Sequence, residues 1–554
     1  LTLWWRVSVW LDLAKEYKLS ATSCISGILL LIITGVIAGF LYFKYPAWDS
    51  KKKDSNGHPN KPRHEKWFYA WIIGLAVLGG TWAFFLPIVI NSGFGKDDDG
   101  ASLRQALIYT TGGVLGVITL GENHRKNTLE KTKNDQDHTR QVHAERRSRY
   151  TKAIEHLFNE NISVRLGGVY ALAGLADEWL TDEKTLPIEK ERHKEGQVII
   201  NTLCSYIRSS FNLASKTEDL SQNKTPEDYE GGDQQFVKDR AKLREEQELR
   251  LAILEAIKNR LNDGIIIQED GTKKLLKGLW SDFNYDFSNA IFFYSAIFNN
   301  SLFGASSNFF GTEFAEYANF SEAEFTEYAN FSEAEFTEYA NFSEAEFTKN
   351  ANFSEAEFIG DADFSRATFT RANFSWVKFI QDADFSRATF TRANFLRAKF
   401  TKFADFSRTI FIRNANFFGA NFTRTNFLRA IFIRNANFFR TTFIRKANFF
   451  RTTFTRTSFS GAKFTGNANF SGAKFTGNAN FSGAKFTEEA NFSGAKFSHK
   501  VNPKGYNFNF SSNSQQITPE DPQPEYNGIN FTIPEGTTLF DPDEPPEQDD
   551  NDDN

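Results

Sequence analysis

The chain has 554 residues, and 64 Lys and Arg stand against 69 Asp and Glu, which gives a formal net charge of −5 at pH 7. This near balance indicates no particular class of charged partner, and the length leaves room for three or four structural units. Two cysteines, Cys24 and Cys204, lie in separate apolar segments, which excludes a disulfide framework as the basis of the fold. The compositional outlier is phenylalanine, with 60 residues.

The first 121 residues predict a membrane-embedded region. Residues 1–20 are rich in tryptophan and predict an interfacial segment. Residues 21–43 and 67–90 are uncharged apolar runs, and each is long enough to span a hydrocarbon core of ~30 Å. Residues 106–121 form a shorter third candidate for a transmembrane helix.

The charges of the connecting segments predict the orientation. Residues 44–66 carry seven Lys and Arg, residues 122–150 carry eight, and residues 91–105 carry two beside three aspartates. The excess of positive charge in cytoplasmic loops then requires three spans, with the C-terminal region in the cytoplasm. Two spans would place that region on the outer side.

Two glycine pairs, Gly35 with Gly39 and Gly112 with Gly116, have the GxxxG spacing of closely packed helices. The packing could lie within the predicted three-helix bundle or between two copies of the chain, so homo-oligomerisation stays open.

Residues 122–263 predict a charged helix followed by a small α-helical domain. The segment VRLGGVYALAGLADEWL, from Val164 to Leu180, places its apolar residues on one helical stripe.

Residues 287–497 carry forty phenylalanines in one register, joined by twenty-four steps of five residues and fifteen of six. Because five is odd, a straight strand would turn successive phenylalanines to opposite faces. A helix would place them about 140° apart. The chain must therefore bend once per unit, as in a solenoid of short strands. Alanine and phenylalanine two residues apart then point to the same side.

The tandem units, such as ANFSEAEFTEY and ANFSGAKFTGN, resemble the phenylalanine-rich form of the pentapeptide-repeat family. The block RYTKAIEHL…VRLGGVYALAGLA…LCSYIR is similar to one in membrane-anchored bacterial members. The resemblance implies a right-handed quadrilateral parallel β-helix over residues 281–500, with about ten coils. It also implies a small α-helical domain against the open end of the solenoid, with a HEAT-like fold as one option for that domain. It further implies a multi-pass location in the bacterial inner membrane.

The resemblance also assigns the central phenylalanine of each unit, and the residue two before it, to the solenoid core. The core positions selected on this basis are Ala318, Phe320, Phe325, Phe331, Phe342, Phe395, Phe470 and Phe481.

The outward positions change charge along the solenoid. Residues 313–357 hold twelve glutamates, and residues 366–456 hold fourteen arginines. Such a surface could bind phosphates, an acidic protein or the anionic membrane face, or it could simply keep duplicated repeats soluble. The candidate interaction surface consists of Arg366, Arg371, Arg387, Arg392, Arg397, Arg413, Arg434, Glu322, Glu333 and Glu344.

Residues 501–554 predict a cap segment followed by an acidic, disordered tail. The sequence contains no credible catalytic set, and it predicts no enzyme activity, no cofactor and no metal. We therefore expect a non-enzymatic, membrane-anchored scaffold that binds an unidentified protein partner in the cytoplasm. The alternative is a DNA-mimic or nucleic-acid-binding solenoid. Against it, the acidity covers only the first part of the solenoid, and inward phenylalanines leave no exposed aromatic residues for base stacking.

Overall fold

The computed structural model describes most of the chain, and the chain divides into two compact units, Leu1–Gln141 and Val142–Asn554. The described residues are 21–44, 64–89, 99–269, 271, 273–511 and 524–543. The expected interfacial segment, most residues of the two loops used for orientation, and the acidic tail lie outside them, at 1–20, 45–63, 90–98 and 544–554.

The first unit contains helices α1 (Ala21–Lys44) and α2 (His64–Val89) and the first part of α3 (Asp99–Leu157). The indole Nε1 of Trp82 on α2 donates to Thr34 Oγ1 on α1 at 2.9 Å. Within the described residues, Ser102–Leu157 is the one helix long and apolar enough to cross a membrane, and Ile25–Ile37 and Trp71–Leu86 are shorter apolar stretches.

Three of the four glycines of the GxxxG pairs do not lie at a close helix contact within this unit, and packing between two copies of the chain stays a prediction. A Cβ added at Gly39, Gly112 or Gly116 would meet no atom within 4 Å. The close approach is instead at Gly79 of α2, where a Cβ would lie 2.1 Å from Thr111 Cγ2 of α3. Glycine spacing shows where helices can approach, whereas the crossing point of the helices decides where they do.

The second unit begins with a helical domain made of α4 (Ile162–Thr181), α5 (Glu189–Arg208), α6 (Thr217–Ser221) and α7 (Gly232–Leu261), with a 3₁₀ turn at Ala214–Lys216. Asn161 caps α4, because its Oδ1 accepts from the Ser163 amide at 2.9 Å. The apolar stripe of α4 faces the core of this domain, where Val169 and Leu172 are fully buried.

A two-stranded antiparallel hairpin, β1 (Asn262–Ile267) and β2 (Lys273–Lys277), connects this domain to a solenoid of parallel strands. The solenoid strands form two sheets of 18 strands each.

The strands of the first sheet are Tyr285–Asp286, Leu302–Phe303, Ser307–Asn308, Glu324–Phe325, Ala329–Asn330, Glu346–Asn352, Thr368–Asn373, Thr389–Phe390, Ala393–Asn394, Ile410–Phe411, Ala415–Asn416, Ile431–Asn437, Thr453–Ser458, Lys474–Phe475, Ala479–Asn480, Lys496–Ser498, Tyr506–Asn507 and Thr538–Phe540. The strands of the second sheet are Ile291–Phe292, Ala296–Ile297, Glu313–Phe314, Ala318–Asn319, Glu335–Phe336, Ala340–Asn341, Glu357–Phe358, Ala362–Asp363, Lys378–Phe379, Ala383–Asp384, Lys399–Asp405, Asn421–Asn426, Thr442–Phe443, Ala447–Asn448, Lys463–Phe464, Ala468–Asn469, Lys485–Phe486 and Ala490–Asn491. A 3₁₀ turn at Pro503–Gly505 and a short hairpin, Glu525–Tyr526 with Ile529–Asn530, complete the chain.

Each coil of the solenoid contributes one phenylalanine to each of four stacks, and the solenoid has about ten coils. We name the four faces by the phenylalanine that begins each stack: face 1 at Phe287, face 2 at Phe292, face 3 at Phe298 and face 4 at Phe303. Faces 4 and 1 belong to the first sheet, and faces 2 and 3 belong to the second. Successive rings of one stack are nearly parallel, as at Phe336 and Phe358, whose centroids are 4.5 Å apart.

Both ends of the solenoid are covered, which protects the end strands from pairing with other chains. The helical domain covers the first coil, where the Phe211 and Phe293 rings stack at 5.4 Å and the Trp280 indole donates to Asp177 at 2.8 Å. At the other end, strand Thr538–Phe540 pairs in parallel with Lys496–Ser498 of face 4.

Candidate interaction surface

The corners that follow faces 1 and 3 share one unusual backbone conformation. The residue two positions after every phenylalanine of these two stacks has a positive φ, between 54° and 66°. Eleven of these twenty positions are Glu or Arg, although the left-handed region costs a residue with a Cβ about 1–2 kcal/mol. The conformation closes a tight turn, as at Glu322, after which the Ala323 amide donates to Phe320 O at 3.1 Å.

The corner between faces 3 and 4 carries a column of such charged residues. In chain order it consists of Glu322, Glu344, Arg366, Arg387, Arg408, Arg429 and Arg451. Backbone hydrogen bonds hold successive coils in register there. The Arg366 amide donates to Ser386 O at 2.8 Å, and the Arg387 amide donates to Ser407 O at 2.8 Å. One arginine per coil therefore stands at this corner over five coils.

A second column of arginines lies on the other side of face 4, at the corner that leads to face 1. It consists of Arg371, Arg392, Arg413, Arg434 and Arg456, each five residues after an arginine of the first column. The Arg413 amide donates to Thr391 O of the previous coil at 3.0 Å, so this column is also in register.

We call this part of face 4, with its two corners, the arginine face; it comprises residues 366–371, 387–392, 408–413, 429–434 and 451–456. Each segment reads R-x-x-F-x-R and contains no Asp or Glu. The phenylalanine points into the core, and the outward residues between the arginines are threonine and isoleucine. Ile412, Ile431 and Ile433 are exposed in the middle of the face. The arginine face is thus a flat strip with a basic border on each side.

Face 4 is acidic in the coils that precede the arginine face, at Glu322, Glu324, Glu344 and Glu346. We call this part its lower margin, and the hairpin partly covers it. Glu324 and Glu346 are paired directly across neighbouring strands. Burial, and then the charge of Glu346, raise the pKa of Glu324. From the hairpin, Lys273 Nζ lies 2.6 Å from Glu322, and a cleft of about 340 Å³ separates the hairpin from this margin. At the boundary, Arg366 pairs with Glu344 at 2.9 Å.

A second acidic feature is a row of aspartates on face 3, where Asp363, Asp384 and Asp405 follow one another on paired strands. Burial raises the pKa of Asp384, and the charges of its two neighbours add to this. Two hydrogen bonds to Ser386 act in the opposite direction. No group of three or more His, Cys, Asp or Glu in the described part of the chain is arranged to hold a metal ion.

The residues selected from the sequence fall into two classes in the structure. Ala318 and the seven selected phenylalanines are all buried, with at most 1% of their surface exposed. Six of the seven selected arginines lie on the arginine face. Arg397 lies elsewhere, at the corner between faces 1 and 2, with its guanidinium 4.6 Å above the Trp376 ring. Glu333 shares that corner, whereas Glu322 and Glu344 border face 4.

Four arginines of the arginine face, Arg408, Arg429, Arg451 and Arg456, were not among the selected surface residues. The signal that identifies them is the spacing. An arginine three residues before a stacked phenylalanine and another two residues after it border the same face, and this pattern occurs in five successive coils.

The expectation that the phenylalanines face inward is wrong at several positions outside the register. Phe403, Phe418, Phe439 and Phe450 are half-buried on the outside, because alternation along the strand turns them away from the core. The guanidinium of Arg451 lies 5.3 Å above the Phe450 ring and that of Arg424 lies 5.6 Å above Phe403, both within the range of cation–π contacts.

A family model described as pentapeptide repeats (9 copies) matches residues 309–357, 331–377, 353–399 and 459–502. The solenoid is built of pentapeptide repeats. The same coil geometry continues through residues 400–458, between the matched ranges, and back to the coil of Phe287. No curated protein and no solved structure matches the chain. Pentapeptide-repeat solenoids are generally non-enzymatic structural or interaction proteins, and the match indicates no catalytic family.

Proposed function

We propose that this protein is a non-enzymatic interaction scaffold and that the arginine face binds an acidic segment of a partner protein. The observation that carries the proposal is the composition of that face, with ten arginines and no acidic residue in five consecutive strand segments. Guanidinium groups recognise carboxylates through paired, charge-assisted hydrogen bonds.

The solenoid supports this role because it holds the arginines on a rigid framework. Phe390, Phe411 and Phe432 beneath the face are buried and stacked, so the backbone that carries the arginines is fixed before a partner arrives. A preorganised surface loses less conformational entropy on binding.

The middle of the face favours a protein partner over a nucleic acid. Ile412, Ile431 and Ile433 offer apolar contacts to side chains, whereas the outward positions of the five segments hold no aromatic residue on which a base could stack. The glutamate-bearing strands cover only residues 313–357, and the acidity beyond them is a single row of aspartates on face 3, so the surface gives little support to mimicry of duplex DNA.

We further propose that the chain is anchored in a bacterial inner membrane by three spans and that the solenoid is a right-handed β-helix in the cytoplasm. The apolar helices α1 and α2 and the apolar start of α3 support the spans, and the Lys and Arg excess in two of the connecting segments supports the orientation.

The scaffold role is tested by capture from membranes that contain the tagged full chain. We expect a specific set of proteins to be retained by the natural chain and lost when Arg392, Arg413 and Arg434 are changed to Gln. The control carries Arg424→Gln and Arg445→Gln, two exposed arginines at the corner between faces 2 and 3. Retention of the same proteins by both variants would exclude the arginine face as the binding surface.

The orientation is tested by protease treatment of a C-terminal tag in intact and in permeabilised cells. Protection until permeabilisation agrees with three spans and a cytoplasmic solenoid. Cleavage in intact cells would place the solenoid outside and refute the cytoplasmic part of the proposal.

A further inference from the structure

The C-terminal strand brings an acidic segment of the chain to the end of the arginine face. Strand Thr538–Phe540 is the last strand of face 4, paired with Lys496–Ser498. The chain therefore leaves the solenoid at the corner between faces 4 and 1, which is the corner that carries the column from Arg371 to Arg456. The sequence that follows is acidic, with Asp541 and Asp543 and then six further acids in residues 544–554.

The first two of these acids already pair with basic residues of that corner. Lys500 Nζ lies 2.6 Å from Asp541 Oδ1 and also contacts Asp543. His499 Nε2 lies 3.6 Å from Asp541 Oδ2. The hydrogen bond from Lys500 lowers the pKa of Asp541, so this carboxylate is held in its charged form.

The opposite end of face 4 shows the same arrangement with the charges exchanged. There the lysine-bearing hairpin lies beside the glutamate margin, and Lys273 pairs with Glu322 at 2.6 Å. Both segments that flank the solenoid therefore place a charge against an opposite charge at the border of face 4.

The length of the acidic segment suits the column. Arg456, Arg434 and Arg413 follow the strand of Thr538–Phe540 at three, four and five strands along face 4, which corresponds to about 14, 19 and 24 Å. Eleven residues in an extended conformation reach up to about 36 Å.

We propose that the arginine face is a docking surface for acidic chain segments. Residues 544–554 of the same chain occupy the part of it nearest the C-terminal strand, at Arg413, Arg434 and Arg456. This inference rests on the proposed function, because it names the class of ligand that the arginine face takes. A partner would then bind by displacing the chain's own acidic segment. Binding would be limited to partners whose acidic segment is longer or more acidic than residues 544–554.

The test is a binding titration on the full chain in detergent micelles at low salt, with a fluorescein-labelled peptide EPPEQDDNDDN as the probe. The tail-neutral variant carries Glu544→Gln, Glu547→Gln, Asp549→Asn, Asp550→Asn, Asp552→Asn and Asp553→Asn. We expect it to bind the probe at least tenfold more tightly than the natural chain, because its own segment no longer competes.

Two further variants locate the binding. Adding Arg413→Gln, Arg434→Gln and Arg456→Gln to the tail-neutral chain should abolish binding of the probe. Adding Arg424→Gln and Arg445→Gln instead should leave it unchanged. Circular dichroism would check that each variant keeps its solenoid. Equal loss in both would mean that the probe responds to overall charge, which overturns the proposal.

The remaining outcomes separate this inference from the proposed function. Equal, measurable affinity in the natural and tail-neutral chains overturns the docking of residues 544–554 and leaves the arginine face as a site for other acidic segments. No binding by the tail-neutral chain, or binding of inorganic polyphosphate alone, overturns recognition of acidic protein segments altogether. A natural chain that is dimeric by light scattering, with a monomeric tail-neutral chain, overturns docking within one chain and assigns the segment to a second copy.

Discussion

At the scale of single residues, burial distinguishes the side chains that stabilise the solenoid core from those that lie on its surface. Phe395 is fully buried between Phe374 and Phe417, with ring centroids 4.9 and 5.0 Å away. Arg392, three residues earlier, is exposed at the corner between faces 4 and 1. Two neighbours in the sequence therefore have opposite roles.

We expect Phe395→Ala to lower the local free energy of unfolding by about 3–5 kcal/mol, through lost transfer energy and a residual cavity. Arg392→Ala should change it by less than about 0.5 kcal/mol, as at other exposed sites. Hydrogen exchange of the backbone amides in the coils around residue 395 measures both. Equal destabilisation by the two substitutions would contradict the assignment of inward and outward positions.

Replacing Asp384 by a neutral residue should increase the stability of the solenoid by an amount that depends on pH. Burial raises the folded pKa of Asp384 above 3.8, so the folded state favours the protonated carboxyl group. The stability that this protonation contributes is lost as the pH rises through the folded pKa. We expect Asp384→Asn to stabilise the solenoid by about 0.5 kcal/mol at pH 7, because the neutral amide removes the cost of a buried negative charge. No gain should remain near pH 3.

Urea denaturation at the two pH values checks this prediction. The exposed Asp228 of the helical domain provides the control, because Asp228→Asn should shift neither midpoint. A gain from Asp384→Asn that is as large at pH 3 as at pH 7 would show that the buried negative charge of Asp384 is not its cause.

At the scale of elements, two features carry a free-energy cost that can be measured. They are the left-handed residues at the tight corners of the solenoid and the buried ion network of the helical domain. Non-glycine residues occupy fourteen of the twenty left-handed corner positions, whereas the last coils have glycine at Gly461, Gly472, Gly483 and Gly494. The corners therefore keep one backbone geometry whatever their sequence, which shows that strand pairing between coils overrides the local preference.

Glu355, with φ 61°, allows this cost to be measured. We expect Glu355→Gly to be more stable than Glu355→Ala by about 1 kcal/mol, because only glycine adopts this conformation without a Cβ clash. Thermal unfolding of the two variants, which differ in one methyl group, gives the comparison. The reverse order would mean that the corner relaxes away from the left-handed region.

The helical domain contains a buried ion network beside the first coil. Arg250 is 1% exposed and donates to Glu246 at 2.7 Å and to Ile207 O at 2.7 Å. Glu246 also accepts from Arg165 and from the Tyr206 hydroxyl. One carboxylate thus balances two guanidinium groups.

We expect Glu246→Gln to destabilise the helical domain by about 3–5 kcal/mol, because it leaves Arg250 buried without its charge partner. Glu178→Gln, which breaks the exposed pair with Arg149 at 2.7 Å, should cost less than about 1 kcal/mol. Chemical denaturation followed by tryptophan fluorescence distinguishes them, since Trp179 and Trp280 lie in or beside this domain.

At the scale of the whole solenoid, stability depends on covered ends, since each coil is stabilised by its neighbours. The Thr538 amide donates to Ala495 O at 3.0 Å and so fastens the final strand to face 4. Phe531 and Ile533, in the segment before that strand, are buried.

We expect Thr538→Pro to detach this strand, because proline has no amide hydrogen to donate, and to expose the edge at Lys496–Ser498. The chain should then self-associate, which static light scattering detects. A chain shortened by residues 544–554 keeps the strand and should not self-associate. If both chains behaved alike, the strand would not be what protects this end.

The sequence alone determined the repeating geometry, because the alternation of side chains and the five- and six-residue steps are local properties. The inward phenylalanines, the bend in every unit and the change from acidic to basic coils could all be predicted in this way. The candidate surface could be predicted only in part. Arg366 and Arg371 were identified as surface residues, but their place on opposite borders of one face was not.

Only the tertiary structure decided which corner each charge occupies and what covers it. Steps of five and six alternate irregularly, so the assignment of a residue to a face depends on the pairing of strands twenty-one or twenty-two residues apart. The contact of the hairpin at Lys273 with Glu322, and that of Lys500 with Asp541, join residues forty or more positions apart. Such contacts arise from the docking of flanking segments on a finished solenoid, and no local spacing encodes them.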